Sequence, residues 1–163
     1  MNFPALRPYT ECLLGFLLVF SPLAGCNNPE STGHIQTVTG EIALDTNLVW
    51  LSHEHILVDF IGADRIQPDT WDRSAILKEV LPYLESLEKH QVDVFVDATP
   101  NYLGRDVDLL KTISERTGLR IITNTGLYGA RNNKFIPKFA MELSAEALAE
   151  LWIEEYEDRK SVV

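Results

Sequence analysis

Leu48-Val49-Trp50-Leu51-Ser52-His53-Glu54-His55 is the stretch on which the reading of this chain turns. A short apolar run leads straight into polar residues, the pattern of a fully buried strand whose end carries functional groups. On a strand, residues i and i+2 point to the same side, so His53 and His55 present two imidazoles together while Glu54 faces away. Two neutral imidazoles converging on one point suit zinc or a similar divalent ion. An incidental pair of polar residues at a strand end would have the same spacing, so the surroundings must decide.

Downstream, Ser74 can cap a helix in which Ile76, Leu77, Val80, Leu81, Leu84 and Leu87 recur at helical spacing, with Lys89 and His90 in its last turn. Pro82 inside that run predicts a kink or a break. Residues 92–98 (VDVFVDA) form a second strand ending in Asp97, and a loop follows over residues 99–105. Asp106 can cap the next helix, with Val107, Leu110 and Ile113 on one face and Gly118 as its stop. Residues 119–124 are a third strand, residues 125–141 a loop, and Ser144 starts a last amphipathic helix to about Asp158. Upstream, residues 35–43 alternate around Thr39-Gly40, as in a small antiparallel hairpin. Strand, helix, strand, helix, strand, helix marks an α/β chain of parallel βα units. A doubly wound sheet and a (β/α)8 barrel both begin this way. In either, ligands gather at the C-terminal ends of the strands, where His53, His55, Asp97 and Asn124 fall.

Within this frame, four motifs resemble, in order and spacing, those of the phosphotriesterase family of the amidohydrolase superfamily. They are Trp50-Leu51-Ser52-His53-Glu54-His55-Ile56, Val96-Asp97-Ala98-Thr99-Pro100, Leu103-Gly104-Arg105-Asp106-Val107 and Thr125-Gly126-Leu127-Tyr128. The leading hairpin is similar as well, and the resemblance covers about residues 34–158. It implies a (β/α)8 TIM-type barrel with two divalent metals, usually zinc, bridged by a hydroxide and by a lysine carboxylated on its side chain. One metal takes both histidines of the His-x-His pair and a late aspartate; the other takes two further histidines. Such metals make hydroxide available at neutral pH and polarise the phosphoryl or carbonyl oxygen it attacks. A small-molecule phosphotriester, ester or lactone substrate is therefore implied.

Residue by residue, only His53 and His55 carry over as metal ligands, and no catalytic residue is assignable within this chain. Gly104-Arg105-Asp106 is expected to shape the second βα loop and start its helix. Asp97 is a candidate to orient a metal-binding histidine from behind, with a structural hydrogen bond as the plainer alternative. Tyr128 is a candidate pocket-lining aromatic. His34 and His90, in the tether and at a helix end, are expected to be solvated.

Residues 1–25 read as an export signal. Arg7 supplies a thin positive region, and residues 12–20 (CLLGFLLVF) form an apolar core far short of the about 20 residues that span a bilayer. Leu23-Ala24-Gly25-Cys26 resembles the lipobox of bacterial lipoproteins, which implies cleavage before Cys26 and lipidation of its thiol. Several acyl chains on one cysteine would anchor the protein stably to a membrane. Asn27 favours the outer membrane by the same resemblance, so the expected place is the periplasmic face of the cell envelope. An ordinary cleavable signal, with Cys26 an incidental thiol, is the alternative. Residues 26–33 then form the lipidated cysteine and a polar tether.

Taking 25 residues from 163 leaves 138, and with Arg7 and Glu11 gone the net charge is still −10. That balance argues against nucleic acid as a partner, because binding it needs a basic face. Cys26 would be the sole remaining cysteine, so no internal disulfide is expected.

Residues 159–163, Arg159-Lys160-Ser161-Val162-Val163, do not resemble the family's continuation, where a Gly-rich turn and the lysine-bearing strand would be due. Lys160 comes too early, and on the wrong element, to bridge metals. The expectation is a truncated N-terminal portion of a barrel: a hairpin plus about three βα units, with an open sheet edge. Such a chain should bind metal weakly and have no activity of its own. A lipid-anchored, non-catalytic binding module is the competing reading, and completion of the barrel by another chain is a third. Substrate, metal identity and oligomeric state are not encoded in these residues.

Overall fold

The computed structural model describes residues 33–161. The export signal read in residues 1–25, Cys26 with its expected lipid, most of the tether and the last two residues lie outside them. Two strands, β1 (His34–Thr37) and β2 (Gly40–Ala43), pair antiparallel, with Thr37 opposite Gly40 and His34 opposite Ala43. Val38 in the turn is buried, and its N–H donates to the Ile121 carbonyl at 2.9 Å. That bond docks the hairpin tip on the main sheet.

The main sheet is parallel and consists of β3 (Trp50–Glu54), β4 (Val94–Asp97) and β5 (Arg120–Thr123), in that order. Central β4 is buried at Val94, Phe95 and Asp97, as a strand covered on both faces must be. β3 departs from the fully buried strand expected: Ser52 and His53 are exposed. Two causes are visible. Among the described residues β3 pairs on one side only, and its register against β4 shifts by one residue between Leu51 and Glu54. A bulge of this kind re-aims the side chains at a strand's end.

Helix α1 (Arg73–Ser86) is capped by Asp72, whose carboxylate accepts from the Ala75 N–H at 3.0 Å, two residues earlier than the Ser74 cap expected. It also runs through Pro82 without ending there. Pro82 leaves the Lys78 carbonyl without its intrahelical donor, but both residues lie on the exposed face, where water can serve. Lys89 and His90 fall in a separate 3-10 turn, Leu87–His90. Helix α2 (Val107–Thr117) has the caps its sequence asks for. The Asp106 carboxylate accepts from the Leu109 N–H at 3.1 Å, and Gly118 closes the helix at φ 74°. Leu109, Leu110, Ile113 and Ser114 of α2 are buried; the first three, with Leu84, Phe95, Leu119, Ile121 and Val38, make the hydrophobic core between the helices and the sheet.

The loop after β4 is held on both sides. Gly104 has φ 138°, and a Cβ there would meet the Leu57 carbonyl oxygen at 2.5 Å. Leu103 is buried and its carbonyl accepts from the Asp59 N–H at 2.6 Å. Arg105 donates to the Asn124 carbonyl and pairs with Glu155, while Asp106 takes Arg73 at 2.7 and 3.0 Å. The segment expected as one loop after β5 contains two short helical turns, α3 (Ala130–Asn133) and α4 (Lys138–Glu142). In α3, Arg131 and Asn132 are left-handed, at φ 51° and 56°. Helix α5 (Ala145–Ser161) begins where Ser144 Oγ accepts from the Ala147 N–H at 3.2 Å. No helix among the described residues is long and apolar enough to cross a membrane.

Gly104→Ala is expected to lower the unfolding free energy by about 1–3 kcal/mol, because the side chain meets rigid backbone at a φ it rarely adopts. Asp106→Ala is expected to cost about 1–2 kcal/mol through loss of the cap. Urea unfolding followed by circular dichroism measures both; a change below about 0.5 kcal/mol at either position would contradict the packing described.

Candidate functional site

His53 sits in the bulged end of β3 and His55 one residue past it, and their ring centroids are 5.3 Å apart at an interplanar angle of 81°. His55 Nδ1 lies 2.9 Å from Thr99 Oγ1. Thr99 in turn donates to Asp97 Oδ1 at 3.0 Å, and the same oxygen accepts from the Ile56 N–H at 3.0 Å. Asp97 and Thr99 are buried, at 1% and 0% exposure. Burial pushes the Asp97 carboxyl above the ordinary carboxylate range. The Ile56 N–H, the Thr99 hydroxyl and the nearby His55 hold it partly back. Asp97 thus stands behind His55 and reaches it through Thr99.

The C-terminal ends of β3, β4 and β5 open on a cavity of about 530 Å³, lined by His53 and His55, by Ala98 and Pro100, and by residues 124–128 after β5. Asn124 Nδ2 donates to the Ala98 carbonyl at 3.1 Å, and the Ala98 N–H donates to the Glu54 carbonyl at 2.8 Å. Strand pairing therefore carries on to the cavity rim. Tyr128 is part of the wall, stacked on buried Phe135 at 5.7 Å, and Phe60 meets the same ring edge to face at 5.7 Å. Trp152 of α5 completes this apolar side.

Of the residues singled out from sequence, His53, His55, Asn124 and Tyr128 line one cavity, and Asp97 lies just behind it. His34 and His90 are exposed and away from it. Sequence reasoning missed Thr99, Phe60 and Trp152. Thr99 was within reach, because Asp97, the last residue of β4, and Thr99 keep the i, i+2 spacing of a strand. Trp152 carried no signal, since its place depends on where α5 docks.

The donor set suits one ion as a pair of imidazoles. With Zn–N bonds of about 2.0–2.1 Å, two rings on one tetrahedral ion have centroids about 5 Å apart, as these do. Among the described residues no group of three or more His, Cys, Asp or Glu side chains gathers. Among the described residues, the imidazole pair therefore stands without a third such group beside it.

Asp97→Leu should leave the Ile56 N–H without its acceptor and remove the carboxylate to which the Thr99 hydroxyl donates, at about 1–3 kcal/mol in all. A urea midpoint equal to that of the parent chain would contradict this account of Asp97.

Residues 33–160 match the Phosphotriesterase family. The "Phosphotriesterase homology protein" of Mycobacterium tuberculosis is 30% identical over 95 residues, covering 58% of this chain and 29% of that protein. The organophosphorus hydrolase from Deinococcus radiodurans aligns in space at a TM-score of 0.52 and 34% identity, over 58% of this chain and 29% of that one. A triple mutant of the same hydrolase reaches 0.60 at 31% identity, over 72% and 37%. The chain therefore spans about 29% of the length of the curated relatives it matches. Its hairpin and parallel βα units correspond to part of a phosphotriesterase (β/α)8 barrel. With a family match over most of its length and a fold to go with it, this chain belongs to the phosphotriesterase family.

Proposed function

We propose that this chain supplies the His53 and His55 corner of a divalent-metal centre, zinc by preference, in a hydrolase acting on small phosphotriesters, esters or lactones. The observation that carries the reading is the pair itself: two imidazoles 5.3 Å apart at the mouth of a cavity formed by the strand ends. His53 and His55 would hold the ion. Bound there, a divalent metal would lower the pKa of water and polarise the oxygen of the bond to be cleaved. Val58, Phe60, Leu103, Leu127, Tyr128 and Trp152 give the cavity apolar walls for the organic groups of an ester. Tyr128, stacked on Phe135, would be held in place as one of these walls.

With two ligands among the described residues, the chain by itself is expected to bind zinc weakly and to leave substrate unhydrolysed. A second metal, a bridging lysine and the remaining ligands would have to come from elsewhere in a complete centre. We also propose export to the cell envelope with a lipid on Cys26, on the strength of the apolar run and Leu23-Ala24-Gly25-Cys26. The substrate would then be met on the periplasmic side of a membrane.

Calorimetric titration of the full chain with zinc should give one weak site that His53→Ala and His55→Ala each weaken by at least about tenfold. Unchanged zinc binding in the double variant would sink the metal reading. Zinc-dependent hydrolysis of an aryl phosphotriester or a lactone by the chain alone, abolished by His53→Ala, would instead overturn the expected inactivity. For the anchor, Cys26→Ser should move the protein from the membrane to the soluble fraction of a bacterial host. A wild-type protein found wholly soluble and without an acyl adduct by mass spectrometry would contradict lipidation.

A further inference from the structure

We propose that Thr99 is a positioning residue that fixes the tautomer of His55, with the ring proton on Nδ1 and the free lone pair on Nε2. Thr99 Oγ1 lies 2.9 Å from His55 Nδ1 and 3.0 Å from Asp97 Oδ1. A threonine hydroxyl has one proton to give and two lone pairs to receive, so it donates to one of these neighbours and accepts from the other. Asp97 Oδ1 decides the direction. The Ile56 N–H points at it from 3.0 Å, and an N–H only donates, so this oxygen is already acting as an acceptor. Asp97 is 1% exposed and Thr99 0%, so bulk water does not replace a donor lost from either. Thr99 donating its hydroxyl proton to His55 instead would strip a buried carboxyl of a donor. The Thr99 proton therefore goes to Asp97, and the Thr99 oxygen accepts from His55 Nδ1–H.

The consequence concerns the other side of the ring. A histidine without such a partner divides its proton between the two nitrogens, and only the fraction with a bare nitrogen facing the ion is ready to bind. The Thr99 bond keeps Nε2 bare and holds the ring plane, and Asp97, anchored by the Ile56 N–H, holds Thr99. For its functional meaning this inference rests on the reading of His55 as a metal ligand; the tautomer itself does not.

The test uses the full chain with ¹⁵N-labelled histidines, free of metal, at about pH 8, above the ordinary imidazole pKa of about 6.5. Long-range ¹H–¹⁵N correlations distinguish the two tautomers. The wild type and Thr99→Ser should give the Nδ1–H pattern at His55. Thr99→Val should give a mixture or the Nε2–H pattern, with the His53 signals unmoved. Zinc titration of the same samples should weaken about 10–100-fold in Thr99→Val and stay close to wild type in Thr99→Ser. A wild-type His55 protonated on Nε2 overturns the proposal, and so does a Thr99→Val chain that keeps the pure Nδ1–H pattern. The wild-type spectrum is decisive even where the valine variant does not fold. A wild type with the Nδ1–H pattern but no zinc affinity would uphold the tautomer and remove the metal reading, which separates the two.

Discussion

Asp97 is a carboxylate buried to 1% exposure, and such a group persists only where donors surround it. Here they come from two chain segments: the Ile56 N–H from the segment after β3 and the Thr99 hydroxyl from the segment after β4. The pair of bonds fastens the end of an edge strand to the end of the central strand. β3 needs that fastening, because its bulge interrupts regular pairing around His53, just before His55. The position of His55 is then fixed from behind, through Thr99, rather than by strand geometry alone.

A second group of contacts holds the rim of the same cavity. Gly104, Arg105 and Asp106 are adjacent but act on different neighbours. Gly104 lets the backbone pass against Leu57, where a side chain would collide. Arg105, its side chain 5% exposed, ties the loop to the Asn124 carbonyl and to Glu155 of α5. Asp106 caps α2 and pairs with Arg73 at the start of α1. Three consecutive residues thus connect the loops after β3 and β5 with three helices. That is the physical content of the Gly-Arg-Asp motif, and it accords with a role in shaping the loop.

Much of the framework was legible because it rests on local rules. Hydrophobic runs bounded by Asp106 and Gly118 give α2 and both its ends, since caps satisfy backbone groups within one turn. The hairpin and the three parallel strands follow from alternation and apolar runs in the same way, although the turn falls at Val38-Thr39, one residue before the Thr39-Gly40 expected, and Gly40 opens β2. Local rules failed where a neighbour supplied the answer. Asp72 took the cap from Ser74, Pro82 was tolerated on an exposed helix face, and β3 was half-open instead of buried because of its place in the sheet. The left-handed turn at Arg131-Asn132 had no counterpart in the sequence reading, as no glycine marks it.

Sequence by itself determined the α/β order, the family, and the pairing of two imidazoles two residues apart, because each depends on spacing along one stretch of chain. Tertiary structure alone decided what surrounds that pair. Thr99 meets His55 from 44 residues away, Trp152 reaches the cavity from a helix late in the chain, and Asp97 chooses among possible partners by burial. The physical reason is range. Periodicity and caps act within a turn or a strand, whereas hydrogen-bond donors to a buried carboxylate, and walls for a cavity, come from segments that only folding brings together.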